Sequence, residues 1–299
     1  MVMKVKLSTP TRIERFKVAL ERAKKKQALA SGYYLCEGID VDSNKVVTIN
    51  QSHNKGLDTS VERNPTVFNL YAGTGDNRVK FTVYSLFRRL GNNKKVDGNP
   101  LVKALKHEDG FTISPEAENF MWELCRDIAK KVAAELDGKI VVLTPSTSEL
   151  NSMIWEHISD IFPNSKKISE SPLDKISSED MLDALSEDEF FINAWGRIYD
   201  DSEEANREFY NHFKTMGPYF KLHSLPLPLR GLVNRTMKVS KDFKHNFGSG
   251  GEIIGNDLLV IDDTVTKGQT LKEAYNLLSE NFSPKSVTCL TLCSKLYTP

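Results

Sequence analysis

Residues 257–271, Asp-Leu-Leu-Val-Ile-Asp-Asp-Thr-Val-Thr-Lys-Gly-Gln-Thr-Leu, constrain this chain more than any other stretch. Leu258, Leu259, Val260 and Ile261 form an apolar run that predicts a buried strand, and the run ends on two carboxylates, Asp262 and Asp263. A short Thr/Gly loop follows, and a helical pattern then opens with Thr270, Leu271, Ala274, Tyr275 and Leu278. A buried strand of this kind belongs to an α/β sheet, whose ligands sit at the carboxyl ends of the strands. A small-residue loop entering a helix presents backbone N–H groups and a positive dipole end to a phosphate. The two acids just before it suit vicinal hydroxyls or a metal-bound water. A phosphate and a diol recognised side by side describe a pocket for a ribose 5-phosphate group.

The run from Leu258 to Thr270 resembles the 5-phosphoribosyl-1-diphosphate (PRPP) signature of the type I phosphoribosyltransferases: apolar strand, two acids, small residues, then a Thr/Gly loop closing on Thr. The likeness extends past the helix to Ser283-Pro284 and a second apolar run, Val287 to Leu292, where that family places its next core strand. The resemblance implies a parallel sheet flanked by helices. It implies that Asp262 and Asp263 contact the ribose hydroxyls, with Mg2+ close by on the diphosphate. It also implies that Thr264, Thr266, Lys267, Gly268, Gln269 and Thr270 wrap the 5′-phosphate.

Composition excludes several classes. Forty Lys+Arg balance forty Asp+Glu across 299 residues, so no global field draws the chain to nucleic acid or to an anionic membrane. The apolar fraction of 39% and charged fraction of 27% suit a globular protein with one large or two ordinary domains. Cys36, Cys125, Cys289 and Cys293 make no Cys-x-x-Cys pair and have no partnered histidine spacing, which predicts buried structural thiols. No apolar run approaches membrane-spanning length, and the basic segment Met1–Lys6 is not followed by a signal-like apolar core. A cytoplasmic protein is expected.

The pattern changes near residue 112. Residues 1–112 read as an α+β unit with no assigned role. It opens with a basic helical segment over 12–30, whose Lys24-Lys25-Lys26 run reads as a solvated face. Strands are predicted at Tyr33–Cys36 and Val46–Ile49, and Val79–Val83 alternates as a half-buried strand does. The turn-rich stretch 91–100 reads as a connector before a short helix at Leu101–Leu105. Residues 113–299 read as βα units. Ser114-Pro115-Glu116 is a helix start, with Met121, Cys125, Ile128, Val132 and Leu136 on one face and Asp137-Gly138 as the stop. Ile140–Leu143 is a short strand, Thr144–Ser148 a loop, and Leu150, Ile154, Ile158 and Ile161 a second helical face.

In the resembled family the loop after that first strand holds the leaving pyrophosphate, and it commonly carries Gly with Arg or Lys. Here Thr144, Pro145, Ser146 and Thr147 supply hydroxyls and backbone but no cation. A pyrophosphate loop and a plain helix-capping turn stay equally open. Cations for the diphosphate are sought instead among Arg230, Arg235, Lys241 and Lys244, near a Ser240…Lys244…Asn246…Phe247 element that loosely matches the ComF and amidophosphoribosyltransferase branch. Residues 165–215 form a polar, acidic helical insertion that reads as a base-binding hood or as a solvated helical pair. Its aromatics Phe190, Phe191, Trp195 and Tyr199 have the spacing of core residues, and Gly248–Gly251 reads as a hinge.

The resemblance implies displacement of pyrophosphate at the anomeric carbon by a nucleobase or a related nitrogenous acceptor. Enzymes acting on 6-oxopurines place Asp where Thr266 stands, so hypoxanthine and guanine are disfavoured. Two other readings stay open: a non-catalytic PRPP- or nucleotide-binding regulatory protein, and pentosyl transfer to a modified base in nucleic acid, which the neutral charge supports weakly. A homodimer is left open.

Overall fold

The computed structural model describes residues 39–49, 64–73, 78–89, 99–198, 203–222, 225–226, 229, 232–233, 235–247, 251–265 and 268–295. The fold is mixed α/β. The described residues form two compact units, one made of those within 39–66, 85–131 and 293–295, the other of those within 67–84 and 132–292.

In the first unit, strands β1 (Ile39–Val41) and β2 (Val46–Ile49) pair antiparallel, and β2 runs parallel to β5 (Thr112–Ile113). Helix α1 (Asn99–Leu105) buries Leu101, Ala104 and Leu105. Helix α2 (Pro115–Lys130) starts as the sequence requires: Ser114 is extended, its side chain accepts from the Ala117 N–H, and Pro115 occupies the first turn. Met121, Leu124, Cys125 and Ile128 then line its buried face. The continuous face expected to reach Leu136 is broken. Val132 departs from helical geometry at φ −116°, and a separate turn, α3, spans Ala133–Leu136.

The second unit is built on a six-stranded sheet in the order β3-β4-β11-β10-β6-β7. These strands are β3 (Thr66–Ala72), β4 (Val79–Arg89), β6 (Ile140–Leu143), β7 (Lys166–Lys167), β10 (Asp257–Val265) and β11 (Ser286–Lys295). β10 runs parallel to β6, and β6 parallel to β7. Leu258 to Ile261 are fully buried, as an interior strand covered on both faces requires. Helix α4 (Leu150–Ile158) follows β6, and helix α9 (Gln269–Phe282) joins β10 to β11. The core of this unit packs Leu271, Ala274, Leu278 and Phe282 of α9 on Phe81, Val83, Leu258 and Val260, with Phe81 and Tyr275 stacked at 4.8 Å.

The division expected near residue 112 therefore falls inside the first unit, between β5 and α2. Residues 67–84 lie with the large sheet, while 113–131 lie with the first unit. Strand pairing is set by edges in space, so β3 and β4 join β11 although more than a hundred residues separate them in sequence.

The insertion is helical: α5 (Ser178–Ser186), α6 (Glu189–Ile198) and α7 (Glu203–Thr215). It has its own core of Met181, Leu185, Phe191, Trp195, Phe209, Phe213, Phe220 and Leu225. Phe191 and Trp195 are core as their spacing predicts, whereas Phe190 is 70% exposed. The insertion leaves and rejoins the sheet unit through a two-stranded neck, β8 (Leu173–Lys175) antiparallel to β9 (Met237–Val239). A short helix, α8 (Lys241–Phe247), follows. No described helix is long and apolar enough to cross a membrane. Cys125, Cys289 and Cys293 are buried free thiols, as expected. The expected basic helix, strand Tyr33–Cys36 with Cys36, Tyr199, and positions 91–98 and 248–250 lie outside the described residues.

Candidate functional site

β6 reaches its carboxyl end in register with β10, Leu143 opposite Ile261. The Thr144 N–H then donates to the Ile261 carbonyl at 2.9 Å, carrying the ladder one residue into the loop. That brings the Thr144 side chain to Asp262, and its Oγ1 donates to Asp262 Oδ1 at 2.6 Å. The hydroxyl is the donor, because a carboxylate only accepts. Asn151, in the first turn of α4, completes the arrangement: its Nδ2 donates to the Thr144 carbonyl at 2.9 Å and to Thr144 Oγ1 at 3.0 Å. Exposures of 5% for Asp262, 2% for Thr144 and 3% for Asn151 place this chain of bonds out of water, where each is stronger. Nearby, burial and the Asp262 carboxylate both push the Cys289 thiol well above its ordinary value.

β10 continues through Val265, so the two acids lie inside the strand rather than after it. Successive strand residues leave on opposite faces, which separates Asp262 from Asp263. Asp263 is also buried and accepts from Thr264 Oγ1 at 2.9 Å.

The candidate phosphate loop ends at Gly268, where φ is +72° and the residue caps α9. A Cβ there would lie 2.4 Å from Leu70 Cδ1, so both the conformation and the close approach of β3 require glycine. The Lys272 N–H donates to the Gly268 carbonyl at 2.9 Å, the first turn of the helix. Gln269 is exposed and Thr270 half-buried; Thr266 and Lys267 lie outside the described residues.

Both Thr144 donors are engaged within the protein, which leaves the candidate pyrophosphate loop with Ser146, Thr147 and Ser148. The Ser148 N–H turns inward to Ser146 Oγ at 3.2 Å, Pro145 has no N–H, and Thr147 is exposed. The candidate cations scatter. Arg230 lies outside the described residues. Lys244 donates to Asn281 Oδ1 at 3.1 Å, at the end of α9 remote from Gly268. Arg235 lines a cleft of about 230 Å³ together with Tyr71, Gly73, Gln269, Lys272 and Glu273. A larger groove of about 760 Å³ lies between the insertion and the distal half of α9, lined by Met181, Leu185, Val233, Lys241, Leu277 and Asn281 among others.

Two residues of this region, Asn151 and Glu273, belong to no motif that the sequence displays. Asn151 sits three residues before Ile154, on the face that the apolar positions mark. Glu273 sits four before Leu277. A polar side chain at a core-facing position was the available signal in both cases.

No protein-family model matches the chain, and no curated protein matches it. Among solved structures it is similar to a hypoxanthine phosphoribosyltransferase from Staphylococcus aureus, at 14% identity and a TM-score of 0.32. The match covers 59% of this chain and 64% of that one, under two thirds of its length. A likeness that slight assigns neither fold nor activity. The chemistry of the side chains carries the functional assignment instead.

Proposed function

We propose that this chain binds PRPP and transfers its 5-phosphoribosyl group to a nitrogenous acceptor, releasing pyrophosphate. The observation that carries the reading is the Thr144–Asp262 link, which ties the loop after β6 to β10 a few residues before Gly268 and its left-handed backbone. A carboxylate fixed beside the end of β6 accepts hydrogen bonds from vicinal hydroxyls, and the first turn of α9 offers N–H donors to a phosphate. The residues then act chiefly by positioning, holding the anomeric carbon open to the acceptor while the carboxylates favour the positive charge that develops on the ribose ring.

Magnesium suits this site as an ion carried on the diphosphate. Among the described residues no three His, Cys, Asp or Glu converge to hold a metal. Mg2+ ordinarily keeps several waters and binds through one or two carboxylates plus substrate phosphates. Asp262 and Asp263 are the carboxylates that would meet those waters, and the bound ion would neutralise the departing charge. With Thr at 266 in place of an acid, acceptors that need no protein base near a purine N7 are favoured over 6-oxopurines.

Pyrophosphate release from PRPP across a panel of bases, with wild type beside Asp262→Asn/Asp263→Asn, tests the reading. The double variant is expected to lose at least about 100-fold in rate, the scale of one positioned charge or donor at a reacting centre. Wild type that neither binds nor consumes PRPP would sink the proposal.

One observation favours a second reading, a PRPP- or nucleotide-binding protein without turnover. With both Thr144 donors engaged internally, the loop has little left to stabilise departing pyrophosphate. Tight PRPP binding with no release across the whole panel would select it.

A further inference from the structure

Asn151 is unexplained by the core around it. It occupies a buried position of α4 beside Leu150 and Ile154, both fully buried, where an apolar side chain would pack without desolvating a carboxamide. Only one end of that carboxamide is satisfied. Nδ2 donates to the Thr144 carbonyl and to Thr144 Oγ1, whereas Oδ1 has no hydrogen-bond partner among the described residues. A buried acceptor without a donor costs stability. An asparagine kept at that cost serves something other than packing.

The Thr144 carbonyl decides which way the amide lies. A carbonyl only accepts, so the nitrogen must face it. The same nitrogen is 3.0 Å from Thr144 Oγ1, so one lone pair of that hydroxyl takes an N–H. The hydroxyl hydrogen is thereby turned to Asp262 Oδ1, 2.6 Å away. A tie between the loop and α4 needs only the bond to the carbonyl. The second bond adds nothing to that tie and acts on the carboxylate, through the hydroxyl. Holding one oxygen of Asp262 in this way limits how the carboxylate can rotate.

We infer that Asn151 is a positioning residue: acting through the Thr144 hydroxyl, it sets the orientation in which the Asp262 carboxylate meets ribose hydroxyls, and it thereby makes the site select ribose over 2-deoxyribose. This rests on the reading of Asp262 as an acceptor for vicinal hydroxyls. A site built to bond a hydroxyl rejects the analogue that lacks it, because its own polar group is then left without a partner. The rejection depends on the aim of the acceptor, since a hydrogen bond weakens steeply once it is bent.

The test is calorimetric titration of the full chain with ribose 5-phosphate and with 2-deoxyribose 5-phosphate, beside pyrophosphate release from PRPP. Wild type should bind the ribose compound about 10- to 100-fold more tightly, the range of a hydrogen bond to a charged group. Thr144→Val deletes the hydroxyl but keeps the carbonyl tie, and Asn151→Leu deletes the amide at similar size. Each should cut the ratio to about 3-fold or less by weakening the ribose compound alone. Thr144→Ser, which keeps a hydroxyl, should hold the ratio within about 3-fold of wild type. The double variant Thr144→Val/Asn151→Leu should show the ratio of Thr144→Val, because Asn151 acts only through that hydroxyl. A purely structural role weakens both sugars together and leaves the ratio of wild type, and that result in Asn151→Leu, or in Asn151→Ala if the leucine variant does not fold, overturns the inference. A wild type that binds the two sugars equally also overturns it. The expected ratios from a protein that never releases pyrophosphate would overturn the transferase reading and leave this inference standing. A wild type that binds neither sugar overturns the inference, and the transferase reading with it if PRPP is also left untouched.

Discussion

At the scale of single residues, Gly268 joins two independent constraints. Its φ of +72° penalises any side chain, and Leu70 occupies the space that a Cβ would enter. Gly268→Ala is expected to cost about 1–2 kcal/mol for the left-handed backbone and about 1–3 kcal/mol for the clash. Urea unfolding of Gly268→Ala beside Gly268→Ala/Leu70→Ala separates the two, since truncating Leu70 relieves only the clash. Equal midpoints for wild type and Gly268→Ala would show that this glycine has no structural duty. Asp262 illustrates the opposite case. Its identity is plain in the sequence, while its two supporters, Thr144 and Asn151, are distant and carry no mark of a shared role.

At the scale of elements, the starts of β10 and β11 are fastened together. Asp257 accepts from Ser286 Oγ at 2.5 Å and from Lys285 Nζ at 2.9 Å. The Ser286 hydrogen bond first, and then Lys285, hold the Asp257 carboxyl below its ordinary value. For a depressed carboxyl the unfolded chain binds the proton more tightly. The stability it contributes is therefore present above the unfolded value, near pH 4, and is lost as pH falls through the folded one. Asp257→Asn should lower the urea midpoint at pH 7, and the gap from wild type should shrink as pH falls below the ordinary carboxyl value near 4. A gap that persists unchanged in acid would mean that packing, and not charge, is what the substitution removed. Element boundaries were well legible where chemistry marks them, as with Ser114 capping α2. They were less so at Val132, where the apolar period runs on but the backbone does not.

At the scale of the whole molecule, the insertion stands on a neck whose strands pair Leu173 with Val239 and Lys175 with Met237. Its aromatic core is made from its own helices. Replacing residues 177–235 by a two-residue Asn-Gly turn joins Ile176 to Thr236, whose backbones are already hydrogen-bonded at 3.1 Å. The shortened chain is expected to keep a cooperative thermal transition by circular dichroism. Failure to unfold cooperatively would show that the insertion is part of the main core.

The apolar run 258–261, its acids, Gly268 and the helix after it were determined by the sequence alone, because local period and backbone preference act within a few residues. The α/β class followed from the same run. Tertiary structure alone decided that β3 and β4 join the large sheet beside β11, that Thr144 and Asn151 anchor Asp262, and that Glu273 grips the strand next to Arg235. Strand pairing and buried hydrogen bonds are contacts between residues far apart in sequence. Which distant partners meet depends on how every intervening element packs, and no local pattern encodes that.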